Sequence, residues 1–147
     1  SPITMNNIYV GETYDGRMEQ PGWDLYGHSE DGWFSVVPDN APKGKLVPQL
    51  MPPVRVTQEL KPVALTKPQD GVFVFDMGKN SAGYVRLKIS GTPGNEVVMR
   101  FGEAVTEDGM VDVDSTGVFH IRGVQTLRYI FGKTGESLSI LVSAMWS

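Results

Sequence analysis

Two runs of alternating apolar and polar residues, separated by a turn rich in glycine and proline, decide most of what this chain can fold into. Residues 84–89 place Val85, Leu87 and Ile89 on one face and Tyr84, Arg86 and Lys88 on the other. Residues 96–101 do the same, with Val97, Met99 and Phe101 inward. A period of two marks a half-buried strand. Between the runs stands Gly91-Thr92-Pro93-Gly94-Asn95, a turn by its chemistry, so the pair reads as an antiparallel hairpin. Val72-Phe73-Val74-Phe75, bounded by Gly71 and Gly78, adds a short apolar strand. Leu127, Tyr129 and Phe131 repeat the alternation before Gly132, and Leu138, Ile140, Val142, Ala144 and Trp146 line one side of a last strand. No stretch carries apolar residues at helical spacing with caps. Short strands with one apolar face and Gly/Pro turns between them predict an all-β chain, an antiparallel β-sandwich.

The first part of the chain reads differently. Residues 6–33 hold Tyr9, Tyr14, Trp23, Tyr26 and Trp33 without a sustained period. They read as an extended N-terminal arm, over 1–36, whose rings hold it to a sandwich over 37–147. Pro38, Pro42, Pro48, Pro52, Pro53 and Pro62 follow. Each fixes its own φ and lacks an amide donor, so this region is no helix interior and at best makes edge strands.

Composition narrows the function classes. With 40% hydrophobic and 20% charged residues, the 147-residue chain can bury a core and is not intrinsically disordered. A net charge of −4 without basic runs disfavours nucleic acid and anionic membrane surfaces as partners. The absence of cysteine removes disulfides, thiol nucleophiles and Cys-ligated zinc. No apolar run approaches the roughly 18 residues that span a bilayer, and residues 1–7 are no signal peptide. The abrupt apolar ending at 138–146 is expected of a piece cut from something longer.

Catalytic constellations are absent from the text of the chain. His28 and His120 lie far apart in unlike contexts, and Ser81 and Ser90 have no G-x-S-x-G setting. There is no phosphate loop and no dinucleotide fingerprint. As an autonomous enzyme the chain looks poor. Oxygen-rich spots are more interesting, because calcium takes carboxylate, amide and carbonyl oxygens. Asp112-Val113-Asp114-Ser115-Thr116-Gly117 begins like an EF-hand loop, yet its twelfth place is Gly123 and no helices flank it. Asp39-Asn40 and Asp76 with Asn80 suit either a hard cation or the capping of backbone turns. Trp23, Trp33, Tyr14 and Tyr26, among Asp24, Glu30 and Asp31, suit either sugar stacking or anchoring. Trp33 reads as an anchor, and Trp23 fits both roles.

Longer strings carry a family resemblance. They are Asn7-Ile8-Tyr9-Val10-Gly11-Glu12-Thr13-Tyr14-Asp15-Gly16-Arg17, Gln20-Pro21-Gly22-Trp23-Asp24 and Ala41-Pro42-Lys43-Gly44-Lys45-Leu46-Val47-Pro48-Gln49-Leu50-Met51-Pro52-Pro53-Val54-Arg55-Val56. Val74-Phe75-Asp76-Met77-Gly78-Lys79-Asn80-Ser81-Ala82-Gly83-Tyr84-Val85-Arg86-Leu87, Arg100-Phe101-Gly102-Glu103 and Glu107-Asp108-Gly109 continue the register. Over about residues 7–110 the chain resembles the N-terminal accessory region of bacterial α-L-rhamnosidases.

That resemblance implies a jelly-roll β-sandwich ahead of an (α/α)6 catalytic barrel, with the inverting carboxylates in the barrel. The chain itself is then a non-catalytic accessory domain of a bacterial enzyme. In some members such a sandwich binds L-rhamnose through calcium, an Asp-Asn pair holding the ion and the ion meeting vicinal hydroxyls. Here the matching pair is Asp39 and Asn40, with Pro93 near the sugar and Trp23 as aromatic support. The implied partners are L-rhamnose or a rhamnose-containing glycan, and the catalytic barrel. The alternative is a purely structural sandwich that braces the barrel. The sequence departs from the family at Gly16, where Ala is usual, and over 110–121. Arg122-Gly123-Val124-Gln125-Thr126 recovers the register, Leu127 stands where Asp is common, and 141–147 does not resemble the family's continuation.

Overall fold

The computed structural model describes residues 1–39, 43–53, 55–116, 124–133 and 136–144, the last as a backbone strand. The chain divides into two compact units, Ser1–Glu19 with Gln58–Ser147, and Gln20–Thr57.

The first unit holds every strand: β1 (Ile3–Asn7), β2 (Gly11–Asp15), β3 (Ala64–Gln69), β4 (Val72–Asp76), β5 (Gly83–Gly91), β6 (Glu96–Arg100), β7 (Ala104–Val105), β8 (Val111–Asp112), β9 (Thr126–Ile130) and β10 (Glu136–Ala144). Among the described residues there is no α-helix, only 3-10 turns at Gly16–Met18 and Val113–Thr116. The all-β expectation holds. One sheet runs β1-β2-β9-β6, and β10-β5, β3-β4 and β7-β8 form two-stranded sheets. All pairs are antiparallel except β2 with β9.

The alternating runs are strands, but the hairpin predicted between them does not form. β5 pairs with β10, with Val85 opposite Val142 and Leu87 opposite Ile140. β6 pairs with β9, with Met99 opposite Leu127 and Val97 opposite Tyr129. The 91–95 turn therefore carries the chain from one sheet to another. The reason lies in the apolar faces. Val85 of β5 and Met99 of β6 both pack against Phe101 and Leu127. Stacked in two layers, each strand covers the other's apolar side, whereas pairing would leave both on one open face.

Phe131 closes the seam between the layers. It is only 1% exposed, and a Cβ built on Gly91 would lie 2.5 Å from its ring carbons. Glycine is required there because the ring takes the space of a side chain. Gly94 N–H donates to the Phe131 carbonyl and Phe131 N–H donates to the Asn95 carbonyl, both at 2.9 Å. Leu127 and Tyr129, four and two residues earlier in the chain, are buried on the same side. Leu127 thus fills a core site.

Residues 1–36, read as an arm, are shared between the two units. β1 and β2 join the main sheet, where Tyr14 stacks on Tyr129 with ring centroids 5.4 Å apart and planes 10° from parallel. Their strand character is hidden in the sequence because the inward side of β2 is not a run of aliphatics. Glu12 faces the same way as Tyr14 and accepts from Asn6 Nδ2 at 2.7 Å.

The second unit has no strand or helix among its described residues. Backbone turns shape it: Leu25 N–H donates to the Gly22 carbonyl at 2.9 Å, and Trp33 N–H to the Glu30 carbonyl at 3.0 Å. Prolines 38, 48, 52 and 53 in this unit deny the region a ladder of donors.

Candidate functional site

Asp39 and Trp23 both fall in the second unit, and Pro93 falls in the first, at the exposed β5–β6 turn. Asn40 lies outside the described residues, as do His120, Gly117, Gly123 and Trp146. Trp23 is 64% exposed, and its backbone N–H donates to the Gln20 carbonyl at 3.3 Å. Its ring is presented to solvent, as a stacking platform requires. Trp33 is partnered locally: His28 meets it edge-on at 6.5 Å. Asp39 is exposed on a stretch without regular structure.

The other oxygen-rich spots serve turns. Asp76 Oδ1 accepts from Gly78 N–H at 2.7 Å. Asp112 Oδ1 accepts from Asp114 N–H at 3.1 Å, and its carbonyl accepts from the Ser115 hydroxyl at 2.5 Å. The two carboxylate contacts are Asx-type turns, and the Ser115 hydroxyl makes the corresponding serine-to-backbone contact. Among the described residues no group of three or more His, Cys, Asp and Glu side chains could hold a metal ion.

Asp15 is the buried acid among the described residues of the first unit, and Arg17 neutralises it. Arg17 Nε donates to Oδ1 at 2.8 Å, Nη2 to Oδ2 at 2.6 Å, and the Arg17 amide to Oδ1 at 3.0 Å. The side-chain hydrogen bond from Arg17 holds the Asp15 carboxyl below its ordinary value. A carboxylate with a depressed folded pKa contributes stability above its unfolded value, about pH 4, and loses it as pH falls through the folded value. Urea midpoints are expected to drop between about pH 4 and pH 2 by more in the native chain than in Asp15→Asn. Parallel midpoint curves for the two proteins would refute this role.

β5 also presents a polar outward face. Tyr84, Arg86, Lys88 and Ser90 are all exposed there. Arg86 Nη1 reaches Glu59 Oε1 at 3.3 Å, with both side chains mostly in solvent.

Comparison with known proteins identifies two family models along the chain. Residues 1–58 match an α-L-rhamnosidase N-terminal domain, and residues 66–142 match a bacterial α-L-rhamnosidase concanavalin-like domain. An α-L-rhamnosidase of Streptomyces avermitilis is 40% identical over 111 residues, which is 75% of this chain and 11% of that protein. One from Formosa agariphila is 33% identical over 109 residues, 74% of this chain and again 11% of the relative. The chain thus spans about a ninth of the length of the curated relatives it matches. Among solved structures, the Streptomyces avermitilis α-L-rhamnosidase complexed with L-rhamnose superposes with TM-score 0.81 at 34% identity, covering 93% of this chain and 13% of that one. The α-L-rhamnosidase from Dictyoglumus thermophilum gives TM-score 0.80 at 32% identity, over 96% of this chain and 16% of that one.

Proposed function

We propose that this chain, which belongs to the bacterial α-L-rhamnosidase family, serves such an enzyme as a non-catalytic accessory domain and contacts L-rhamnose-bearing glycan through calcium. The observation that carries the accessory role is proportion. A strand-built region covering 11% of rhamnosidase relatives leaves the bulk of those enzymes elsewhere.

For the sugar contact, Asp39 supplies a solvent-facing carboxylate and the adjacent Asn40 an amide oxygen. At such a pair a calcium ion would take its remaining oxygens from backbone carbonyls and sugar hydroxyls. That is a weak site of mixed donors, suited to an ion that bridges protein and saccharide. Trp23, in the same unit as Asp39, offers a ring for the sugar's C–H face.

Titration of L-rhamnose into the chain by calorimetry is expected to give heat with calcium present and none with chelator. Asp39→Ala is expected to abolish that heat without changing the circular dichroism spectrum. An isotherm unaltered by chelator or by Asp39→Ala overturns the calcium assignment.

A second reading, a sandwich that braces the catalytic domain, has its own support in β3 and β4. Leu65 stands opposite Phe75, with Phe73 on the same side, and all three are about half exposed or more. Grouped apolar side chains left in water commonly mark a contact surface. Absence of heat in both buffers, from folded protein, favours the brace.

A further inference from the structure

We infer that the outward face of β5 is a distinct contact surface for a carboxylate-bearing saccharide, such as a uronate oligomer. The choice of a saccharide over other carboxylates rests on the accessory-domain reading above; the anionic character rests on the face itself.

Val85 packs toward Phe101 and Leu127, so the alternate residues point away from the core. Tyr84 is 45% exposed and the Arg86 side chain 62% exposed, and Lys88 and Ser90 are exposed beside them. Successive residues on one face of a strand lie about 7 Å apart, which makes a row of phenol, guanidinium, ammonium and hydroxyl. β10 runs beside β5 in register, with Ser143 opposite Tyr84, Leu141 opposite Arg86, Ser139 opposite Lys88 and Ser137 opposite Ser90. The face therefore combines two cations with groups of the kind that pair with sugar hydroxyls.

Arg86 already takes a carboxylate, that of Glu59, from a stretch outside any strand. The contact runs through one guanidinium nitrogen at 3.3 Å between exposed side chains, a geometry worth little in water. A ligand carboxylate that engages the guanidinium in bidentate fashion can displace it, because such pairs are shorter and stronger. The chain's overall charge of −4 selects against dense polyanions, whose phosphates would meet net repulsion away from this row.

The test uses the full chain labelled with 15N, and trigalacturonate as the probe. Saturable amide shifts confined to 83–91 and 136–144 are expected with trigalacturonate and not with neutral maltotriose. Arg86→Gln combined with Lys88→Gln is expected to weaken binding about tenfold or more, with spectra elsewhere unchanged. No saturable shift, equal shifts with maltotriose, equal shifts with oligothymidylate, or unaltered affinity in the double variant would each overturn the proposal. Rhamnose calorimetry with and without chelator reads the Asp39 site separately. Its failure leaves this face standing, and failure of the uronate titration leaves the calcium reading standing.

Discussion

Phe131→Ala is expected to destabilise the chain by about 3–5 kcal/mol, the range for removing a fully buried aromatic ring. Three features make this position worse than an average core site. The ring is 1% exposed and meets Tyr129 edge-on, with centroids 5.4 Å apart. It lies under Gly91, so the void would open where β5 leaves one layer for the other. The residue's own N–H and carbonyl hold Asn95 and Gly94, so a shift of β9 to fill the void would pull on the turn. Collapse around the cavity is therefore hindered, and hindered collapse gives the higher costs. Domains of ordinary size are stable by about 5–15 kcal/mol, so the variant should sit near its unfolding threshold. Urea denaturation checks this: the midpoint should fall steeply at unchanged m. Phe131→Leu should lie between the two. A loss below about 1 kcal/mol for the alanine variant would mean that the seam is held elsewhere.

The strands with an apolar alternation or run could be read directly from the sequence, and which strands become neighbours could not. Alternation assigns a face to Val85, Leu87, Met99, Leu127, Tyr129 and Phe131, and the structure turns each toward the interior side. Alternation says nothing about partners, since any two strands with one apolar face can pair or stack. The 91–95 turn looked like a hairpin loop because its residues are turn formers, and its tie to Phe131 is a contact across many residues of sequence. β2 was hidden for another reason: with Glu12 inward and hydrogen-bonded to Asn6, it carries no apolar period. The candidate site was less readable still. Asp39-Asn40 and Trp23 stand out by residue type, but choosing them over the other oxygen-rich spots and rings, and adding Pro93, takes the resemblance, because an exposed carboxylate in irregular chain has no local pattern that separates an ion ligand from a turn residue. Asp76 and Asp112 illustrate the other outcome, with side chains that accept from amides two residues on.

Gly132→Ala is the second large effect expected, about 1–3 kcal/mol or more, and it arises from excess rather than loss. A Cβ at this position would drive into the carbonyl of Gly16 and come within 3.0 Å of the Arg17 amide nitrogen. Every obstacle is backbone, so no side-chain rotation relieves it, and either β9's end or the 3-10 turn at Gly16–Met18 must move. That turn is fixed by the Arg17 amide donating to Asp15 Oδ1, the same carboxylate that the guanidinium grips. Moving it should loosen the ion pair, so Gly132→Ala is also expected to flatten the acid-side fall in stability that distinguishes the native chain from Asp15→Asn. Gly83→Ala is the control, since a Cβ there meets nothing within 4 Å. Its stability should equal or slightly exceed that of the native chain, because alanine loses less backbone entropy on folding than glycine. Equal melting temperatures for the two alanine variants would show that the approach of Gly132 to Gly16 carries no structural weight. A Gly132→Ala protein that melts early yet keeps the native pH profile would separate the packing of the turn from the Asp15–Arg17 pair.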